Sequence, residues 1–272
     1  MDIIHAFILG VVQGLAEFLP VSSTGHLLAF HEILKFDIAN SLSFDAALHL
    51  GTLLALLAFF WRDVITLLKG FFQSLRHWQV KTDEGQKLAW LVIVGAIPAG
   101  IVGIALDNFI ENNTRSLILV AVALVFGSII IWWAEAWSRH QWQNNQITFK
   151  TAWLVGLAQI IALIPGISRS GATIVGGMFK KLDRATAARY AFLISLPVVG
   201  GAGLLKLFDL VKSHPQGGEL TQVFIGIITS AIVGYVVVKY FLKFVQKHSL
   251  SVFAWYRIIV ALALLGFIIF FK

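Results

Sequence analysis

The chain has no cysteine, which excludes disulfides and thiolate-bound metals and leaves the redox compartment open. Charge is scarce as well: 13% of residues are charged and 58% hydrophobic, with a mean hydropathy of +0.83. Such a composition rules out an ordinary soluble domain. The opening residues Met1-Asp2-Ile3-Ile4-His5 lack the basic n-region and small-residue cleavage site of a signal peptide, so no separate targeting segment is expected. Walker A, glycine-rich dinucleotide and His-Glu-x-x-His patterns are all missing. The isoelectric point near 9.7 invites a nucleic-acid reading, but the basic residues are dispersed between apolar runs and gather on no single face. Nucleic acid is not an expected partner.

What the chain does have is long apolar runs. Segments near 44–61, 88–106, 117–137, 188–208, 222–242 and 252–271 are each about long enough for the roughly 30 Å hydrocarbon core. Those at 3–19, 23–34, 152–164 and 171–180 are too short or too interrupted, and read as re-entrant half-helices. The expected fold is therefore all-α, a single polytopic membrane domain over 1–272 with about six spanning helices plus half-helices. Lys and Arg mark cytoplasmic loops. Placing 62–87, 138–151, 180–189 and 239–248 inside puts 14 of the 21 basic residues there and leaves both termini outside.

Shifting the chain by 146 residues lays Gly10 on Gly156, Gln13 on Gln159, Ala16 on Ala162, Ser22 on Ser168, Thr24 on Ser170 and Gly25 on Gly171. The first copy would enter the bilayer from outside and the second from inside. An inverted repeat with halves of about 1–137 and 147–272 is the expected architecture, one familiar from transporters, although such a frame can also host an enzyme.

Both copies place polar residues in greasy surroundings, and an ionisable group at membrane depth marks a functional site by default. Gln13 and Glu17, four residues apart, share a helix face. They suit a hard cation, a held water or a base. Ser22-Ser23-Thr24-Gly25-His26 clusters hydroxyls and an imidazole at a helix start, where phosphate oxygens can be held. Ser23 is a candidate nucleophile if a neighbouring base takes its proton, and His26 is a candidate for that base. Capping of the following helix is the other reading of this run. His31 and Glu32, further along, read as headgroup-facing.

Arg169 stands between Ser168 and Ser170 just after Pro165-Gly166, with Thr173 a turn later. A guanidinium fork among hydroxyls suits phosphate or carboxylate oxygens, against a snorkelling interfacial arginine. Asp45 and His49 either orient the cavity from behind or face the interface. Glu135 among Trp132, Trp133 and Trp137 reads as a span end with interfacial tryptophans.

These segments resemble the undecaprenyl-diphosphatase, or bacitracin-resistance, family. Its marks, Glu/Gln-x-x-x-Glu running into Pro-x-Ser-Ser-x-Gly-His and a later Pro-Gly-x-Ser-Arg-Ser-x-x-Thr, stand here as Gln13 to Glu17, Pro20 to His26 and Pro165 to Thr173. Position 13 is Gln where some members carry Glu. The resemblance implies a multi-pass enzyme of the bacterial plasma (inner) membrane, with its site facing outward. It would hydrolyse undecaprenyl diphosphate to undecaprenyl phosphate and inorganic phosphate, recycling the carrier of peptidoglycan synthesis and conferring bacitracin resistance. A divalent cation, Mg²⁺ or Ca²⁺, is implied as cofactor, with Glu17 and Gln13 as its ligands. Arg169, Ser168, Ser170 and Thr173, with Ser22 and Thr24, would bind phosphate. Glu17, Ser23, His26 and Arg169 would be catalytic; the nucleophile is Ser23, His26 or water. The polyprenyl diphosphate lipid is the expected partner, and a homodimer is among the assemblies open to it. The competing reading is a transporter or flippase of an anionic polyprenyl lipid. A histidine-dependent lipid phosphatase of the other membrane type would need a second, downstream histidine, and none lies between His140 and His214.

Overall fold

The computed structural model describes residues 3–36, 41–114, 116–139, 145–212 and 219–271. Among these the regular elements are helices: α1 (Ile3–Ala16), α2 (Ser23–Leu34), α3 (Ser41–Phe59), α4 (Trp61–Arg76), α5 (Glu84–Asn113), α6 (Leu117–Arg139), α7 (Phe149–Ile161), α8 (Arg169–Phe179), α9 (Arg184–Lys212), α10 (Glu219–Lys247) and α11 (Ser251–Phe271). Five of them, α5, α6, α9, α10 and α11, are long and apolar enough to cross a bilayer. The pair α3–α4 is the sixth candidate, broken by an 85° bend at Phe60. The chain is a multi-pass, all-α membrane protein, and the six expected spans fall on these helices.

Beyond the bend, α4 exposes Trp61, Ile65, Leu68, Phe72 and Leu75 and also carries Arg62, Lys69 and Arg76. This is the composition of a helix lying in the interface plane. The four short apolar segments form α1, α2, α7 and α8, of 14, 12, 13 and 11 residues. At 1.5 Å per residue each reaches only about 16–21 Å, short of a span. Each pair instead meets at a polar turn, 17–22 between α1 and α2 and 162–168 between α7 and α8.

Packing follows the repeat. Helix α1 lies on α10 as α7 lies on α5, and α10 packs on α3 as α5 packs on α9. Within each half the short helices touch, α1 with α2 and α7 with α8. Two pairs, α3 with α9 and α6 with α11, join corresponding helices of the two halves. A main apolar core, with Phe18, Phe60, Tyr190, Phe192 and Phe241 in it, lies beneath the first turn.

Two polar residues sit differently from their sequence reading. Glu135 is buried: Arg184 donates to its two oxygens at 2.8 and 2.5 Å and the Leu250 N–H adds a third bond at 2.8 Å. It ties α6 to the start of α9 and the α10–α11 turn. Trp133 and Trp137 do face outward, as anchors should. His31 faces inward, its Nε2 3.0 Å from Asp45 Oδ1. Burial of Asp45 on α3 explains why the imidazole turns from the headgroups.

Candidate active site

The two turns are built alike. Pro20 lacks an N–H and cannot continue α1. Two residues on, Ser22 takes φ 73°, ψ 93° and caps α2, accepting a hydrogen bond from Gly25 N at 3.3 Å. In the second copy Ser168 takes φ 74°, ψ 115° and caps α8, accepting from Gly171 N at 3.2 Å. A left-handed φ at a residue with a side chain costs about 1–3 kcal/mol and persists only where its surroundings enforce it. The same rare conformation at matched positions therefore marks one backbone design used twice.

The turns are also bonded to each other. Ser22 Oγ accepts from Gly166 N at 3.1 Å, and Ser170 Oγ donates to the Leu19 carbonyl at 3.0 Å. Arg169 forms an ion pair with Glu17 Oε1. The other carboxylate oxygen, Oε2, accepts from Ser23 Oγ at 2.6 Å and from Gln13 Nε2 at 3.0 Å, with His49 Nε2 3.5 Å away. Behind it, His49 Nδ1 donates to the Asp45 backbone carbonyl at 2.9 Å, while the Asp45 carboxylate meets His31 Nε2 at 3.0 Å. His49 therefore stands against Glu17, and the buried Asp45 carboxylate is turned to His31.

A cavity of about 130 Å³ opens at this junction, lined by Glu17, Ser22, Ser23, Thr24, His49, Ser168 and Arg169 among others. Beside it lies an apolar cavity of about 320 Å³ that shares Thr24, His49 and Arg169 and is walled by Leu27, Ala99, Leu163 and Val199. A compact set of convergent polar groups against an apolar chamber is what an amphiphilic ligand requires.

Three of the expected catalytic and phosphate-binding residues lie apart from the polar cavity. Ser170 and Thr173 spend their hydroxyls on backbone, Thr173 donating to the Arg169 and Ser170 carbonyls at 2.8 and 3.2 Å. They hold the Arg169 turn in shape. His26 Nδ1 donates to the Ser22 carbonyl and its Nε2 meets the Tyr256 hydroxyl, both at 2.8 Å. The ring points to α11 rather than to Glu17.

The divalent cation finds a poor cage. Among the described residues no three His, Asp or Glu side chains cluster as metal ligands. Both Glu17 oxygens already accept hydrogen bonds, and Arg169 brings a positive charge to the place a cation would take. Gln13 Oε1 is the one buried acceptor here without a partner among the described residues. The residues present do not fit a resident metal at Glu17, which needs several oxygen ligands.

Sequence reading missed Arg257, the largest fully buried side chain among the described residues. Its Nε donates to the Leu124 carbonyl at 3.2 Å, one terminal nitrogen to Pro20 and Ile167 at 3.1 and 2.9 Å, and the other to Ala123 and Gly166 at 3.2 and 3.0 Å. An arginine inside the 252–271 apolar run, at its sixth residue, was a legible signal, since charge within a span is rare without a role. Gln159, singled out in the sequence only as the repeat partner of Gln13, is buried and lines the apolar cavity, and its amide has no partner among the described residues.

Residues 6–263 match the family described as "Bacitracin resistance protein BacA". The chain is 42% identical over 269 residues to an "Undecaprenyl-diphosphatase" of Geotalea daltonii, covering 98% of this chain and 99% of that one. Proteins of the same name from Methanosphaera stadtmanae and Rubrobacter xylanophilus are 40% and 42% identical, each over 96% of both chains.

Proposed function

We propose, for a chain that belongs to the bacitracin resistance protein BacA family, that it is a membrane enzyme hydrolysing undecaprenyl diphosphate to undecaprenyl phosphate and inorganic phosphate. The observation that carries the chemistry is the Ser23 hydroxyl, 2.6 Å from Glu17 Oε2, in a cavity that Arg169 also lines. A nucleophile hydrogen-bonded to its base beside an anion clamp is the arrangement phosphoryl transfer needs.

The incoming diphosphate competes with Glu17 for Arg169. Once the guanidinium turns to the phosphate, the carboxylate loses its cation and is free to take the Ser23 proton. Ser23 Oγ then attacks the terminal phosphorus. The bridging P–O bond breaks, and undecaprenyl phosphate leaves with both bridge electrons. Glu17 passes its proton to solvent and then accepts one from the water that attacks phosphoserine. As the P–O bond to Ser23 breaks, Glu17 gives that proton to the departing Oγ, so Ser23 and the Glu17 carboxylate are regenerated and inorganic phosphate is released. Arg169 neutralises the charge that builds on the phosphoryl oxygens. The first prenyl units lie in the apolar cavity, whose wall includes the Gln159 amide, without a partner among the described residues. A divalent cation enters as counter-ion of the diphosphate, so a chelator should slow turnover by altering the substrate. All of these residues come from one chain, and the reading needs no second copy.

The test is phosphate release from undecaprenyl diphosphate by purified protein in detergent. Acid quench during turnover should leave a phosphoryl group on the peptide containing Ser23. Full activity of Ser23→Ala would sink the nucleophile assignment. Lipid movement between vesicle leaflets without phosphate release would replace the enzyme by a transporter. The cavity should face the outer side of the inner membrane, with the basic loops inside. The native chain has no cysteine, so single cysteines report cleanly. At Gln79 and Gln246 they should react only after permeabilisation, and labelling of intact cells at Gln79 would invert the orientation.

A further inference from the structure

Arg257 lies outside the cavity, and its chemistry differs from that of Arg169. A guanidinium has five N–H donors and no acceptor. All five are used here, each on a backbone carbonyl, and none remains for a phosphate. Among the described residues no carboxylate forms a salt bridge with it, although it is fully buried. Burying an unpaired cation costs several kcal/mol, which an apolar side chain of similar volume would avoid. The position must gain something that only the donors supply.

The acceptors show what that is. Three of them, Pro20, Gly166 and Ile167, belong to the two polar turns, and two, Ala123 and Leu124, to α6. Pro20 and Gly166 occupy the same place in the 146-residue repeat. One guanidinium on α11 therefore grips equivalent carbonyls of both copies, two residues before each strained serine. Carbonyls at membrane depth have no water to satisfy them, so the arginine both satisfies the turns and sets their spacing. Gly127 of α6 leaves room for it: a Cβ there would collide with the guanidinium.

We propose that Arg257 is a positioning residue that fixes the distance between the Glu17–Ser23 turn and the Arg169 turn, and with it the alignment of nucleophile and phosphate clamp. This rests on the hydrolytic reading for its kinetic consequence, though not for its structural one. Lysine has three donors in a different geometry and cannot replace the fork.

The experiment has two arms. In the first, spin labels at Leu34 and Lys180, exposed positions on α2 and just past α8, report the distance between the halves whether or not the protein hydrolyses anything. The wild type should give one narrow distribution, and Arg257→Lys and Arg257→Ala broad or shifted ones. In the second, misplacing reacting groups by about 1 Å costs about 100-fold in kcat, so both variants should lose about that much with KM within about threefold. Millimolar guanidinium added to purified Arg257→Ala should restore turnover and narrow the distribution, whereas sodium should do neither. If Arg257→Ala fails to accumulate, Gly127→Ala, which displaces the guanidinium without removing it, carries the test and should show a milder form of both effects. Wild-type kcat together with a narrow distribution in Arg257→Lys, or in Gly127→Ala, would overturn the proposal. Loss of activity with an unchanged distance would also overturn it. A wild type that releases no phosphate would refute the hydrolytic reading and leave the distance arm standing.

Discussion

The two polar turns share a backbone and divide the chemistry. Ser22 and Ser168 have nearly the same φ, cap the following helix in the same way, and follow carbonyls held by the same arginine. Side chains at the matched positions differ. Where the first copy has Glu17, the second has Leu163; where it has Ser23, the second has Arg169; His26 falls on Ala172. One copy supplies the acid and the hydroxyl, the other the cation, and neither alone is a site. The glutamines show the same divergence from the other side. Gln13 donates to Glu17, while Gln159 faces a leucine position and has no partner among the described residues. The repeat is a scaffold that brings complementary groups together. On the proposed mechanism, catalysis depends on where its copies differ and stability on where they agree.

The largest expected effect lies in the divergent positions. Ser23→Ala should lower kcat by about 10⁴-fold or more, since removing a nucleophile leaves only binding and electrostatics. Thr24→Val, one residue along in the same cavity, should cost far less, and equal losses in steady-state phosphate release would break the distinction. Next come Glu17→Gln and Arg169→Ala, each expected to lose about 10³-fold with membrane insertion intact. Arg169→Lys should remain poor, because a point charge does not reproduce a bidentate fork. An Arg169→Ala variant with wild-type kcat and KM would remove the clamp from the account.

Positions that agree should matter to stability. Ser22→Ala loses a cap and leaves the Gly166 N–H without its acceptor, while Ser168→Ala loses mainly a cap. Losses of about 2 and about 1 kcal/mol respectively should appear in thermal unfolding in detergent. A reversed order would mean that the Ser22–Gly166 bond does not hold the turns together. The smallest effect is expected behind the site: Asp45→Asn keeps the backbone carbonyl that holds His49, weakens only the pairing of its side chain with His31, and should slow turnover by about fivefold at most, the equivalent of one hydrogen bond. A loss as large as that of Glu17→Gln would move Asp45 into the reacting group.

Much of this was legible in the sequence because lipid is a demanding solvent. Apolar run length separates spans from half-helices, and polar residues in greasy runs stand out, so Glu17, Ser22, Ser23 and Arg169 could be singled out before any geometry. Burial direction is harder to read. His31 and Glu135 look like headgroup contacts from their place in the chain, yet each turns inward to a partner distant in sequence, Asp45 and Arg184. His26 reads as an acid–base group from its place beside Ser23 and from the family motif, and the Tyr256 hydroxyl that its Nε2 meets is 230 residues away. Glu17 is a related case: it reads as a free metal ligand until Arg169, 152 residues on, is seen to pair with it.

The central claim is that the two turns form one catalytic unit, and a double-mutant cycle on Glu17 and Arg169 tests it most directly. Single-turnover phosphate release would be measured for wild type, Glu17→Gln, Arg169→Gln and the double variant. Residues that act as a unit are strongly non-additive, so the double variant should be no slower than the worse single one within about threefold. Losses that multiply would show two independent contributions and contradict the account.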